Sequence, residues 1–263
     1  MLAQSNLFAD VAQSFRQHVA PHRHSVLLVA IIVAFAVRPL IGEAGAGSAM
    51  FGIAMVVLLL VALYNINVDE MVGEKGRLLA ASKRRLRLGW VLAAAALLSR
   101  LLIMSHVHRP ALNLAGSICW LLFLLFVTLC ELRSVLKQRT VTRETICMAV
   151  SVYLLLGFTW ALLYAVMFQL HPDSFGGLTA TKTGHPVEVV HLFSVLGYFS
   201  LTTLSTLGLG DITPLTLQAR YAVVAEGITG QFYLAILVAR LVGLQMSQGT
   251  GPRVEVSSRA IAD

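Results

Sequence analysis

The chain has 263 residues, of which 57% are hydrophobic and only 13% are charged, and its mean hydropathy is +0.78. This composition excludes a soluble globular domain and indicates a membrane protein with several spans. The formal net charge of +7 is no sign of nucleic-acid binding, because the basic residues lie in short loops between apolar stretches. No nucleic-acid partner is therefore expected.

Apolar stretches divide the chain into predicted helices. Residues 1–24 are polar with apolar residues at helical spacing, which predicts an amphipathic segment on the cytoplasmic side of the membrane. Six apolar stretches follow, each long enough, or nearly so, for the roughly 20 residues that a bilayer requires. They are residues 25–41, 44–66, 88–104, 113–130, 146–170 and 219–244. The predicted fold is an all-α membrane protein with six transmembrane helices.

A further apolar segment, residues 187–205, lies between the fifth and sixth spans. Pro186 precedes it, and proline is well tolerated in the first turn of a helix. We expect this segment to be a re-entrant helix, which is stable at membrane depth only when protein surrounds it.

Basic residues predict the orientation of the chain in the membrane. The loop between spans two and three and the loop between spans four and five hold most of them, whereas each alternate loop holds one. By the positive-inside rule, both basic loops and both termini are cytoplasmic, in a plasma membrane or a bacterial inner membrane. One basic cluster could also bind anionic lipid, although such a run more often only sets topology. This cluster consists of Lys83, Arg84, Arg85 and Arg87.

The most informative stretch follows the re-entrant segment. A hydroxyl-rich run, residues 200–205, leads into Thr206-Leu207-Gly208-Leu209-Gly210-Asp211. Glycine at alternate positions permits backbone angles that other residues avoid, so successive carbonyl oxygens can face one side and replace the hydration shell of an ion. This stretch resembles the selectivity filter of potassium channels, usually TVGYGD. The resemblance continues through Pro214 and Arg220 to Gly230, where the family has a hinge in its inner helix.

The resemblance implies a potassium-selective channel with no cofactor other than its permeant ions. Because each chain holds one filter and no internal repeat of it, four copies are implied, as a homotetramer. Potassium would be bound by Thr206, Leu207, Gly208 and Leu209, mostly through carbonyl oxygens, with Gly210 at the outer mouth. The residues expected to support the filter are Tyr198, Phe199, Thr202, Thr203, Asp211 and Glu226. We expect Leu209 to pack against Phe199, Tyr198 to hydrogen-bond Asp211, and Glu226 to hydrogen-bond Thr202 or Thr203.

The predicted domain organisation follows the same resemblance. Residues 1–24 form the cytoplasmic segment, 25–143 a four-helix membrane domain, 144–244 the pore domain and 245–263 a short cytoplasmic tail. The fourth span contains no charged residue, so the membrane domain lacks the arginines of a voltage sensor. The chain is therefore similar to small bacterial-type six-span channels without a sensor.

Two alternative functions remain open at this point. In place of the usual filter tyrosine the chain has Leu209, which cannot donate a hydrogen bond, so a weakly selective cation channel is one alternative. The sequence GLGD also resembles the GxGD motif of intramembrane aspartyl proteases. That chemistry needs two carboxylates that share a proton. No other aspartate lies inside an apolar span, which argues against the protease.

Overall fold

The computed structural model describes residues 23–41, 56–65, 79–104, 110–178 and 189–249, and this part of the chain is mainly helical. The helices, numbered in chain order, are α1 (Arg23–Ile41), α2 (Val56–Asn65), α3 (Leu79–Met104), α4 (Pro110–Lys137), α5 (Arg143–Leu170), α6 (Val189–Leu204) and α7 (Leu217–Gly249). A single 3-10 turn, Pro172–Ser174, follows α5. Two short antiparallel strands, β1 (Phe175–Gly176) and β2 (Thr213–Pro214), are the one departure from the all-α prediction within the described residues.

Three of the described helices are long and apolar enough to cross a membrane. They are Ala111–Lys137, Arg143–Leu170 and Leu217–Met246, and they coincide with the fourth, fifth and sixth predicted spans. The apolar parts of α1, α2 and α3 are shorter, at His24–Ala36, Val56–Asn65 and Leu86–Ser99. A mainly helical fold with three candidate spans is thus confirmed, whereas the six-span arrangement and the domain limits stay predictions. Helix α7 also continues to Gly249, beyond the predicted limit at residue 244.

Helix α5 is the central helix of the described fold, because α1, α4 and α6 all pack against it. Its start is fixed by Thr142, whose side chain accepts a hydrogen bond from the backbone of Thr145 while the Thr145 hydroxyl accepts one from the backbone of Thr142. Such a capping box satisfies backbone donors that a helix start leaves open. The helix ends at Leu170, two residues before Pro172, and proline cannot continue it.

The N-terminus of α1 is held by a side chain of α5. The Glu144 carboxylate accepts hydrogen bonds from the backbone N–H groups of His24 and Ser25, at 3.2 and 3.3 Å, and from the Ser25 hydroxyl at 2.6 Å. A carboxylate at this place compensates the positive end of the helix dipole and caps its open donors. Buried His24 also lies 3.5 Å from Glu131 of α4, so the ends of three helices meet here.

Helix α3 begins earlier than the third span was predicted to. It starts at Leu79, so the basic cluster lies on the helix and not in a loop. Lysine, arginine, leucine and alanine are all good helix formers, and no proline interrupts the run. Arg84 and Arg87 are exposed on this helix.

Helix α6 packs between α5 and α7, and its predicted start at Pro186 lies outside the described residues. A hydrophobic cluster joins α5 to α6, to β1 and to the start of α7. Its buried members are Tyr164, Ala165, Phe175, Leu192, Leu196, Phe199, Ile212 and Ala219. By contrast, only 11% of the most apolar 18-residue stretch of α7 is buried inside the protomer. The corresponding share for α5 is 50%. The protomer therefore leaves most of its last helix uncovered.

Candidate functional site

The predicted filter forms a loop directly after α6, here called the glycine loop (residues 205–211). The backbone N–H groups of Leu207 and Gly208 donate to the carbonyl oxygen of Thr202, at 2.8 and 3.2 Å. The N–H of Thr206 donates to the carbonyl oxygen of Thr203 at 2.9 Å. These bonds satisfy carbonyl groups that the helix end would leave open, and they fold the loop back onto α6. The loop therefore starts from a fixed point on the helix.

Along the glycine loop, residues with a positive φ angle alternate with residues whose φ is not positive. Thr206, Gly208 and Gly210 have φ angles of 62°, 52° and 80°, whereas the intervening Leu207 and Leu209 do not have positive φ. Among the described residues, Thr206 is the one residue other than glycine with positive φ. A β-branched residue in this conformation is strained, and such strain is concentrated at functional sites. This alternation is the backbone pattern that can turn successive carbonyl groups to one side of a strand.

The segment after α5 clamps the C-terminal end of the glycine loop. Strand β1 pairs with β2, and the N–H of Leu215 donates to the carbonyl oxygen of Ser174 at 2.9 Å. Gly177 has a φ of 81°, and a Cβ atom at this position would come within 1.9 Å of the Asp211 carbonyl oxygen. Only glycine permits so close an approach of two backbones. The Asp211 side chain is also hydrogen-bonded to Tyr198 of α6, as expected from the sequence.

The structure buries Phe199 and leaves most of Leu209 exposed, so the expected contact between the two side chains stays a prediction. Phe199 is buried, with its ring 5.5 Å from that of Tyr164 and 5.7 Å from that of Phe175. Leu209 is 63% exposed and Leu207 is 66% exposed. Phe199 thus supports α6 from within the hydrophobic core, whereas most of each leucine side chain is uncovered in its own chain.

Glu226 of α7 is fully buried, but its predicted partners are wrong. Its carboxyl group contacts the hydroxyl groups of Tyr164, at 2.6 Å, and of Ser200, instead of those of Thr202 or Thr203. The Thr202 hydroxyl donates to the carbonyl oxygen of Phe199 at 2.8 Å. Sequence reasoning missed Tyr164 and Ser200, although a polar tyrosine within an apolar span was a usable signal.

The C-terminal half of α7 is attached to its own protomer at two places. The Tyr233 hydroxyl donates to the Ala149 carbonyl oxygen of α5 at 2.6 Å. The Arg240 guanidinium donates to the carbonyl oxygen of Gln138, just after α4, at 2.8 Å. Arg240 is thus directed to the connection between α4 and α5.

Gly230 lies where α7 crosses the end of α6. A Cβ atom here would come within 2.8 Å of the Leu204 carbonyl oxygen and 2.9 Å of the Leu204 Cδ1 atom. A small residue permits this close packing of the two helices. The contact gives Gly230 a packing role, and its predicted role as a hinge remains a prediction.

Replacing Gly230 with alanine should therefore separate α7 from the end of α6. We expect Gly230→Ala to lower the thermal unfolding midpoint and the yield of assembled protein, because backbone atoms cannot yield as a flexible side chain can. Gly227→Ala is the matched control, since no atom lies within 4 Å of a Cβ there and alanine is the better helix former. Equal midpoints for the two variants would contradict the packing role.

Comparison with known families gives one match, to the family model described as ion channel, over residues 140–245. The matched region contains α5, α6, the glycine loop and nearly all of α7. It spans less than half of the chain. Comparison with curated proteins and with solved structures gave no match. The family match and the apolar helices together support a membrane protein with ion-channel function.

Proposed function

We propose that the protein is a potassium channel in which four copies of the glycine loop form the selectivity filter. The observation that carries this proposal is the positive φ at Thr206, Gly208 and Gly210, alternating with Leu207 and Leu209. A strand of this kind can present a column of carbonyl oxygens to an ion. Such oxygens can replace the water molecules that a potassium ion must lose to enter a narrow pore.

Each part of the glycine loop has a distinct role in this proposal. The carbonyl groups of Thr206, Leu207, Gly208 and Leu209 bind the ion, and the Thr206 hydroxyl adds an oxygen at the inner end. Gly210 lies at the outer mouth, where the Tyr198–Asp211 bond and the strand pair hold the loop. The negative end of the α6 dipole lies at the inner end of the loop and favours a cation there.

The proposal requires a homotetramer, because one strand supplies only a quarter of each ion cage. Two observations support further copies of the chain. The glycine-loop leucines are exposed in the protomer, and α7 carries large exposed apolar side chains along its length. They include Tyr221, Val224, Ile228, Phe232, Ile236, Val242 and Met246. Channels of this family typically work as oligomers in membranes.

The remaining parts of the proposal concern the membrane. Both termini would be cytoplasmic, which places the outer clamp of the glycine loop on the opposite side. Exposed Arg84 and Arg87 would lie near the cytoplasmic surface, where they could bind anionic lipid. The family match does not favour the protease alternative.

A weakly selective cation channel is the second candidate, and Leu209 is the observation that favours it. Leu209 lacks a hydroxyl group to tie the strand to α6, and most of its side chain is exposed in its own protomer. One account of potassium selectivity requires that the filter keeps the distances between its carbonyl oxygens when a smaller ion enters. The other account requires that the carbonyl groups stay crowded around the ion. A strand with one fewer hydrogen bond to α6 should keep the distances between its carbonyl oxygens less well.

The reversal potential of the reconstituted protein distinguishes these two candidates. For a potassium channel we expect it to follow the potassium gradient, by about 59 mV per tenfold change at full selectivity. Because Leu209 provides no tether, we expect a value somewhat below this limit when sodium replaces potassium. A reversal potential near zero in balanced sodium and potassium would favour the weakly selective channel. Absence of cation current from assembled protein would contradict both candidates.

A further inference from the structure

A buried carboxyl group joins three helices near the C-terminal end of α6, which leads into the glycine loop. Glu226 of α7, Tyr164 of α5 and Ser200 of α6 each have an exposed fraction of 0%. The Tyr164 hydroxyl lies 2.6 Å from Oε2 of Glu226, and the Ser200 hydroxyl contacts Oε1. The same Ser200 oxygen lies 2.7 Å from the carbonyl oxygen of Gly157. The contacts form one chain from α5 through α7 to α6 and back to α5.

The number of protons in this chain fixes the state of the carboxyl group. The Ser200 hydroxyl has one proton, yet its oxygen is in hydrogen-bonding contact with two acceptors, Gly157 and Glu226. If Glu226 were ionised, one of these oxygen pairs would be in close contact with no proton between them. If Oε1 of Glu226 carries a proton, it donates to Ser200, Ser200 donates to Gly157, and Tyr164 donates to Oε2. Every contact then contains one proton.

The surroundings of Glu226 favour the same state. No lysine, arginine or histidine in the described ranges forms an ion pair with it. The titratable side chains that face it are the phenol groups of Tyr153 and Tyr164, both from α5. An ionised carboxylate that is fully buried without a cation is costly, and a neutral carboxyl group avoids this cost.

We propose that Glu226 is a positioning residue that works in its protonated form, as the central link of the chain Tyr164–Glu226–Ser200–Gly157. This chain sets the position of α6 relative to the two longer helices, and the glycine loop begins five residues after Ser200. Helices α5 and α6 are in close contact at this point, since a Cβ atom on Gly157 would come within 2.6 Å of Leu201 Cδ2. The expected effect on conduction rests on the proposed function, whereas the position of the proton does not.

Infrared spectroscopy of the full-length protein in lipid tests the position of the proton. The difference spectrum between the unmodified protein and Glu226→Gln should contain the C=O stretching band of a protonated carboxyl group. Tyr164→Phe should shift this band, because it removes one donor to Oε2. Tyr233→Phe is the matched control: it removes a hydroxyl from a different hydrogen bond between α5 and α7 and should leave the band unchanged. A difference spectrum that contains only carboxylate bands would overturn the inference.

Conduction tests the positioning role through rescue. Glu226→Ala leaves Tyr164 and Ser200 without their shared partner, and we expect potassium flux per assembled oligomer to fall about tenfold. Glu226→Gln keeps an acceptor for Tyr164 and a donor for Ser200, so it should restore most of the flux. Flux as low in Glu226→Gln as in Glu226→Ala would contradict the positioning role. If Glu226→Ala does not assemble, the potassium flux of Tyr164→Phe is compared with that of its matched control, Tyr233→Phe. The positioning role predicts the lower flux for Tyr164→Phe.

The two proposals can fail separately. If the protein carries no potassium current but the infrared band behaves as expected, the proposed function is wrong and the proton assignment stands. If potassium is conducted but the band is that of a carboxylate, the proposed function stands and this inference is wrong.

Discussion

Gly208→Ala should abolish potassium conduction while the protein still assembles. The φ angle of Gly208 is 52°, and no atom of its own chain lies within 4 Å of a Cβ placed there. The obstacle is therefore the backbone conformation and not the space. An L-residue other than glycine costs about 1–2 kcal/mol in this conformation, which amounts to about 4–8 kcal/mol over the four strands of the proposed tetramer. This cost corresponds to a loss of potassium flux of about a thousandfold or more, measured in vesicles loaded with the variant.

A change of chirality provides the control for this experiment. D-alanine at position 208, introduced by semisynthesis, prefers positive φ and carries the same methyl group. We expect it to retain potassium flux, and size-exclusion chromatography should show the same oligomer for both variants. Thr206 is already strained at a φ of 62°, so the loop has little tolerance for a second strained residue. Undiminished flux with L-alanine would contradict the assignment of the glycine loop as the filter.

Strong local signals made several parts of the fold predictable from the sequence. Long apolar runs identified the helices that became α4, α5 and α7, because a bilayer demands such runs. The positive φ of Gly208 and Gly210 agrees with the reason given for glycine at these positions. Each of these features depends on residues that are close in sequence.

The partners of Glu226 could not be predicted in the same way. Tyr164 and Ser200 are 62 and 26 residues from Glu226, so the contact depends on how three helices are rotated. Each residue along a helix turns the side-chain direction by about 100°, because a turn contains 3.6 residues. Relative to Ser200, Thr202 therefore points about 200° away, whereas Thr203 points about 60° away and lies almost one turn further along the helix. The sequence shows that several residues of α6 have hydroxyl groups. It does not show how the helix is rotated about its axis, and this rotation decides which hydroxyl group meets Glu226.

The clamp at the C-terminal end of the glycine loop was also missed, for a different physical reason. Its strands contain two residues each, which is too short to show an alternating pattern. They pair across the whole of α6, so no turn sequence connects them directly. Gly177 is then the strongest local signal, but a single glycine in a loop has many possible explanations.

Gly177→Ala should detach this clamp and destabilise the C-terminal end of the glycine loop. The new Cβ would come within 1.9 Å of the Asp211 carbonyl oxygen, and the residue would have to keep a φ of 81°. Positive φ and overpacking together cost about 2–5 kcal/mol per protomer. The backbone must therefore move, which separates β1 from β2 and frees Asp211. We expect a lower thermal unfolding midpoint of the oligomer and a large loss of potassium flux.

Gly176→Ala, the neighbouring position in β1, is the matched control for this prediction. A Cβ there meets the Leu215 and Thr213 side chains at 3.3 Å, and φ is not positive. Side-chain ends can move by a few tenths of an ångström, so we expect the midpoint and the flux to change little. Since the two glycines are adjacent, any general effect of alanine in this segment is common to both variants. If Gly177→Ala retained the midpoint and flux of Gly176→Ala, the close approach of Gly177 to Asp211 would not hold the glycine loop.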